Sequence, residues 1–178
     1  MITQTKAEHG NLSSIPPIIK TVLFVCTGNI CRSPAAERVF QNAISDLADF
    51  RVHSAGTHAR EGNQATESMI IACREEDFDL TGHRAKKLTP EMIREAEIVL
   101  TMERLHTEYV LSLDLESLEK TFNLAWFAGY PLYTDSIPDP YGCSLREYRR
   151  CLSIISQCVT NLCERITDRF VRKEDRSL

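Results

Sequence analysis

The fold that this sequence predicts is an α/β domain, a parallel sheet covered by helices on both faces, and three observations predict it. Short β-rich apolar runs alternate with stretches of helical spacing along most of the chain. The first run, Thr21 to Val25, passes through a glycine-containing loop straight into a helical pattern. The 178 residues, 43% of them hydrophobic, suffice for a single ordinary core. Alternating strands and helices imply parallel pairing, and right-handed crossovers place the loop after the first strand at the sheet's carboxyl edge, where open α/β folds hold ligands.

Met1 to Pro17 mixes polar residues with Gly10, ends in Pro16-Pro17 and has neither periodicity, so residues 1–19 read as a flexible leader. After the first strand, Ser33 to Leu47 sets Ala36, Val39, Phe40, Ala43 and Leu47 at helical spacing. Phe50 to Ser54 reads as a strand, and Ala65 to Arg74 as a helix with Met69, Ile70 and Cys73 on one face. Thr89-Pro90 is a helix start, a capping hydroxyl followed by proline at the first helical position. Ile98 to Met102 is the next strand, Glu103 to Leu113 a helix and Thr121 to Phe127 a strand. Leu145 to Phe170 carries Tyr148, Leu152, Ile155, Val159, Leu162, Ile166 and Phe170 along one side of a long closing helix. The domain is expected over 20–172, with a short charged tail over 173–178.

Composition narrows the function. A net charge of −4 lacks the basic footprint of a nucleic-acid binder, and a run such as Arg169, Arg172, Lys173 and Arg176 is interrupted by Glu174 and Asp175 and reads as a solvated tail. No apolar run is long enough to span a membrane, and residues 1–20 lack the apolar core of a secretory signal, which makes the cytoplasm the default location. Seven cysteines, an odd number, fit reduced thiols better than a disulfide framework. His9, His53, His58 and His106 have no spacing that suggests metal ligation and read as surface or packing residues.

The stretch TVLFVCTGNICRSPAAE, Thr21 to Glu37, carries the chemistry. A tight turn holding Thr27, Gly28, Asn29, Ile30 and Cys31 between strand and helix gathers backbone N–H groups and the positive helix end into a bowl for a tetrahedral anion. Arg32, at the helix start, has the planar fork to hold two oxygens of that anion. Cys26 leads the loop, where the field that binds an anion also favours a thiolate nucleophile. Ser33 can donate to its sulfur. Cys31, five residues on, is placed to form a reversible disulfide with Cys26 and protect it from irreversible oxidation.

VCTGNICRSP followed by HSAGT and DPYG resembles the low-molecular-weight protein tyrosine phosphatase family over roughly Lys20 to Phe170, with loop wording closer to bacterial members. The resemblance implies a four-stranded parallel sheet flanked by helices, a phosphate-binding loop between the first strand and first helix, no metal or cofactor, and catalysis through a cysteinyl-phosphate. It implies that Asp139 is the general acid and then base; the proline after it biases its backbone toward an extended form. Asp135 is the competitor, without such a proline. Ser54 in HSAG and His83 in LTGHRA resemble the residues that tie Asn29 and Ser33 into a supporting network. A phosphotyrosine protein, including a tyrosine kinase, is the partner implied.

Tyr141 is the expected wall against which an aromatic ring stacks. The opposite rim, THAREGNQA from Thr57 to Ala65, lacks the aromatic residue of many family members and offers His58 and Arg60 instead. Relatives that act on phosphoarginine resemble this chain but carry a smaller threonine where Ile30 stands, so Ile30 favours phosphotyrosine and arginine phosphatase is the alternative. Arsenate reductase would need cysteines on a mobile middle segment, and between Cys31 and Cys143 only Cys73 is present. A non-catalytic phosphate-binding module would have lost Cys26, Arg32, Ser33 or Asp139, and none is lost. Cys143, Cys151, Cys158 and Cys163 are expected to be mostly packing thiols.

Overall fold

A computed structural model describes residues 19–45, 50–131 and 136–174, with side chains as far as Ile166. The leader up to residue 18, Leu47, Asp135, the side chain of Phe170 and the tail beyond 174 lie outside the described residues.

Four strands, β1 (Thr21–Cys26), β2 (Arg51–Gly56), β3 (Ile98–Thr101) and β4 (Thr121–Asn123), form one all-parallel sheet in the order β2-β1-β3-β4. Register aligns their ends: Cys26 pairs with Gly56, Val25 with Thr101, and Thr101 with Asn123. The chain steps from β1 to one neighbour and returns to the other, so the carboxyl end of β1 is the point where the strand order reverses. A crevice opens at such a point.

The helices are α1 (Arg32–Ala43), α2 (Glu67–Glu75), α3 (Pro90–Glu95), α4 (Arg104–Leu113), α5 (Leu124–Phe127) and α6 (Leu145–Glu174). Period-two alternation in β1 divides the core. Val22 and Phe24 join Phe40 of α1, Met69 of α2 and Ile155 and Leu162 of α6 on one face. Leu23 and Val25 meet Ile93 of α3 and Val110 of α4 on the other. Every β1 residue from Val22 to Cys26 is therefore buried, as a strand covered on both sides requires. Thr89 caps α3 as its sequence predicts, its Oγ1 accepting from Met92 N at 3.3 Å.

Two segments differ from expectation. The strand expected over Thr121–Phe127 stops at Asn123, because the Asn123 carboxamide accepts from the N–H groups of Ala125 and Trp126 and opens α5. A 3₁₀ turn over Leu115–Lys120, which periodicity does not reveal in so short a piece, leads into β4.

Candidate active site

Cys26 ends β1 and Arg32 begins α1, so five residues make the turn between them. The turn is strapped to the end of β2: Thr57 N donates to Cys26 O and His58 N to Thr27 O, each at 2.9 Å. Gly56 is required by this approach. A Cβ there would stand 2.6 Å from Thr27 O and 2.8 Å from Asn29 N, inside any tolerable contact with backbone. Asn29 takes the left-handed conformation, φ +52°, which asparagine tolerates better than most side chains.

Asn29 is the hub beneath the bowl. Its Nδ2 donates to Ser33 Oγ at 2.9 Å and Ser54 Oγ at 2.8 Å, while its Oδ1 accepts from Lys86 N at 2.8 Å. His83 Nε2 donates to the Asn29 carbonyl at 2.7 Å, and burial holds His83 below the ordinary histidine pKa, as the neutral ring. Ser54 and His83 thus both contact Asn29, and Ser54 Oγ donates in turn to Glu37 Oε2. Ser33 Oγ lies 3.0 Å from Cys26 Sγ. Since Oγ already accepts from Asn29, its one proton is left for the sulfur or for Ala55 O at 3.3 Å.

Arg32 is 2% exposed. Its Nη2 donates to Asp139 Oδ2 at 2.6 Å, and its Nη1 to Glu103 Oε1 at 2.9 Å and Ile137 O at 3.3 Å. Burial opposes its charge, but Cys26, Asp139 and Glu103 outweigh burial and raise its proton affinity. Its Nε is buried without a partner among the described residues. A buried guanidinium with one donor unmatched is a place for an acceptor. The N–H groups of Gly28 to Cys31 likewise have no protein acceptor among the described residues, and α1 lacks a side-chain cap. The fork expected to grip two anion oxygens is therefore partly engaged by carboxylates, with Nε and the loop amides as the open donors.

These groups border a cavity of about 170 Å³, walled by Cys26, Thr27, Ile30, Arg32, Asp139 and Tyr141 together with Gly28 and Cys31. Asp139 is half exposed at its mouth, and its Oδ1 accepts from Tyr141 N at 3.2 Å. Tyr141, which lines the same cavity, is 65% exposed. Cys31 Sγ lies 3.3 Å from Thr66 Oγ1, and burial pushes its thiol up to about 11. On the far rim, His58 Nδ1 lies 2.9 Å from Thr57 Oγ1, and its ring centroid is 5.3 Å from that of Tyr109.

Besides Glu37 and the Lys86 amide, the contributors that escaped the sequence reading include Gly56, Glu103 and His106. His106, expected to be a surface or packing residue, is buried with Nε2 2.8 Å from Thr27 Oγ1 and 3.3 Å from Glu103 Oε1. Their signal was positional, since Glu103 and His106 follow the carboxyl end of β3 and Gly56 ends β2. Among the described residues no cluster of three His, Cys, Asp or Glu is placed to hold a metal ion, and no helix is long and apolar enough to cross a membrane.

The family profile "Low molecular weight phosphotyrosine protein phosphatase" matches residues 21–173. The low molecular weight protein-tyrosine-phosphatase Etp of Escherichia coli (strain K12) is 36% identical over 121 residues, 68% of this chain and 77% of its own. The solved tyrosine phosphatase Wzb of Escherichia coli K30, in complex with sulphate, superposes with a TM-score of 0.76 at 30% identity, covering 84% of this chain and 99% of that one. The YwlE arginine phosphatase from Geobacillus stearothermophilus gives 0.79 at 31% identity, covering 85% and 96%. The chain belongs to the low molecular weight phosphotyrosine protein phosphatase family.

Proposed function

We propose that this phosphatase hydrolyses phosphotyrosine in proteins through a cysteinyl-phosphate intermediate. The observation that carries the reading is the unmatched Nε–H of buried Arg32 in the wall that also holds Cys26 Sγ and the Asp139 carboxyl. Phosphate oxygens accept from Arg32 Nε and the loop amides, which brings phosphorus to the sulfur. Cys26 attacks, the P–O bond to the phenol breaks, and Asp139 gives its proton to the departing oxygen. Asp139 then takes a proton from water, whose oxygen attacks phosphorus and expels the thiolate. Ser33 Oγ, 3.0 Å from the sulfur, stabilises that thiolate by giving it a hydrogen bond.

Apolar Ile30 and exposed Tyr141 suit a phenyl ring in the mouth. A phosphoarginine guanidinium would compete with Arg32 for Asp139, the carboxylate in this wall. Arginine phosphatase is nonetheless the second reading, because an arginine phosphatase is among the chain's structural relatives. Arsenate reduction has less support: Cys73 is fully buried in the core, its thiol pushed up to about 12 by burial, and is a poor relay. The cytoplasm is the proposed location, and a phosphotyrosine protein such as a tyrosine kinase the proposed partner.

Redox control belongs to the same reading. Peroxide converts Cys26 to a sulfenic acid, and Cys31, lining the same cavity, condenses with it to a disulfide with release of water. Mass spectrometry after mild peroxide treatment should find the Cys26–Cys31 bridge; only sulfinic or sulfonic Cys26 would sink this control.

Phosphate release from matched phosphotyrosine, phosphoserine and phosphoarginine peptides, with Cys26→Ser as blank and arsenate reduction alongside, tests the function. Selectivity for phosphotyrosine is expected. Preference for phosphoarginine moves the assignment to the second reading, and binding without turnover in the parent chain rejects catalysis.

A further inference from the structure

We propose that His106 is a positioning residue of the phosphate-binding loop: neutral and protonated on Nε2, it donates to the Thr27 hydroxyl, turning that hydroxyl into a donor for the bound anion, and it steadies the Glu103 carboxylate that holds Arg32. The inference rests on the phosphatase reading above. His106 is 2% exposed, on α4, which packs on the opposite side of the sheet from α1. Its Nε2 is 2.8 Å from Thr27 Oγ1 and 3.3 Å from Glu103 Oε1, while Nδ1 is buried without a partner among the described residues.

These neighbours decide the tautomer. With the proton on Nδ1, a buried N–H would be orphaned and the Nε2 lone pair would face the Glu103 oxygen, which is repulsive. With the proton on Nε2, both nearby oxygens attract it and only an acceptor lone pair stays unmatched. Burial above all, then Arg32 and His58, opposes a positive charge on the ring, while Asp139 and the adjacent Glu103 carboxylate favour one; burial and Arg32 prevail, holding its pKa at about 4. At neutral pH the ring therefore carries one proton, on Nε2.

Thr27 then accepts with its oxygen and keeps its own proton to give. It lines the cavity, one residue past the nucleophile, so that proton can meet an anion oxygen. Glu103 joins the arrangement at its other end, 2.9 Å from Arg32 Nη1. One buried ring thus connects β1's loop to the arginine clamp.

His106→Leu puts an apolar side chain of similar bulk in place of the ring and removes the donor; His106→Gln restores an amide Nε2 the same number of bonds from the backbone. Inorganic phosphate binding is measured by calorimetry and p-nitrophenyl phosphate turnover in parallel, with circular dichroism to verify folding. Leu should weaken phosphate about fivefold, the worth of a neutral hydrogen bond, and Gln should recover most of it. Leu on a Thr27→Val background should add less than about twofold, because the two side chains act in one chain of contacts. Phosphate affinity unchanged by folded His106→Leu, or Gln no better than Leu, overturns the proposal. Should His106→Leu fail to fold, Thr27→Val and Thr27→Ser decide: loss with Val and recovery with Ser support it, and equal affinities overturn it. A parent chain that binds phosphate but turns over nothing rejects the phosphatase reading and leaves the affinities to judge His106; one that binds no phosphate overturns both.

Discussion

Replacing Gly56 by alanine tests the geometry of the loop without touching a reacting group. The added Cβ would lie 2.6 Å from Thr27 O, about 0.8 Å inside the 3.4 Å at which ordinary contact begins, and also 2.8 Å from Asn29 N and 2.9 Å from Ala59 Cβ. Two of the three neighbours are loop backbone, so the loop must yield. A displacement approaching 1 Å in a catalytic constellation costs about 10²-fold in rate, and overpacking of this kind costs about 1–3 kcal/mol of stability. Gly56→Ala should therefore lower kcat/KM for p-nitrophenyl phosphate by about 10²-fold, weaken phosphate binding, and shift the urea midpoint downward with the m-value unchanged. Gly82→Ala is the control: no heavy atom lies within 4 Å of its added Cβ, so neither quantity should move. Gly56→Ala with kcat/KM within about threefold of the parent would refute the claim that close backbone approach holds the bowl in shape.

Arg32→Lys should weaken both phosphate binding and turnover, because an ammonium cannot reproduce donors to Asp139, Glu103 and the anion at once; retention of either in calorimetry and steady-state assays would count against the clamp. Asp139→Asn should lose about 10²–10⁴-fold in kcat, less for leaving groups that need no proton, and a uniform loss across a leaving-group series would remove it as the acid. Stability should fall with acid in a particular window. His106 titrates near 4 in the folded state and 6.5 unfolded, so between these values the unfolded chain holds more protons and stability rises with pH. The contribution is complete above 6.5 and is lost as pH falls toward 4, about 2 kcal/mol of it by pH 5. Urea midpoints at pH 7 and pH 5 should therefore draw closer together in His106→Gln, and an unchanged difference would contradict the buried neutral ring. His83, lowered by burial as well, contributes with the same sign and remains in that variant.

Local signals were sufficient wherever one segment carries the whole pattern. The run from Thr21 to Ser33 holds its strand, turn, cysteine and arginine in consecutive residues, and Thr89-Pro90 and the period of α6 are equally local. The same holds for the paired Asp139-Pro140. Where a neighbour decides, the chain was mute. The strand expected to reach Phe127 ends at Asn123 because a side chain turns back onto the next two amides, a choice invisible to β-propensity.

The sequence by itself thus determined the fold class and the family, and it named the side chains proposed to react, since each rests on residue types at short fixed spacings. Tertiary structure alone decided how those groups are held. It brought Gly56 from β2 under the loop, set Glu103 from the end of β3 against Arg32, and turned His106 of α4 from a nondescript histidine into a ligand of Thr27. These partners lie 27, 71 and 79 residues from the groups they touch, counting Gly56 from Asn29 as well as the two hydrogen-bonded pairs. Parallel strands with aligned carboxyl ends bring them together, and no pattern within a single segment records that alignment.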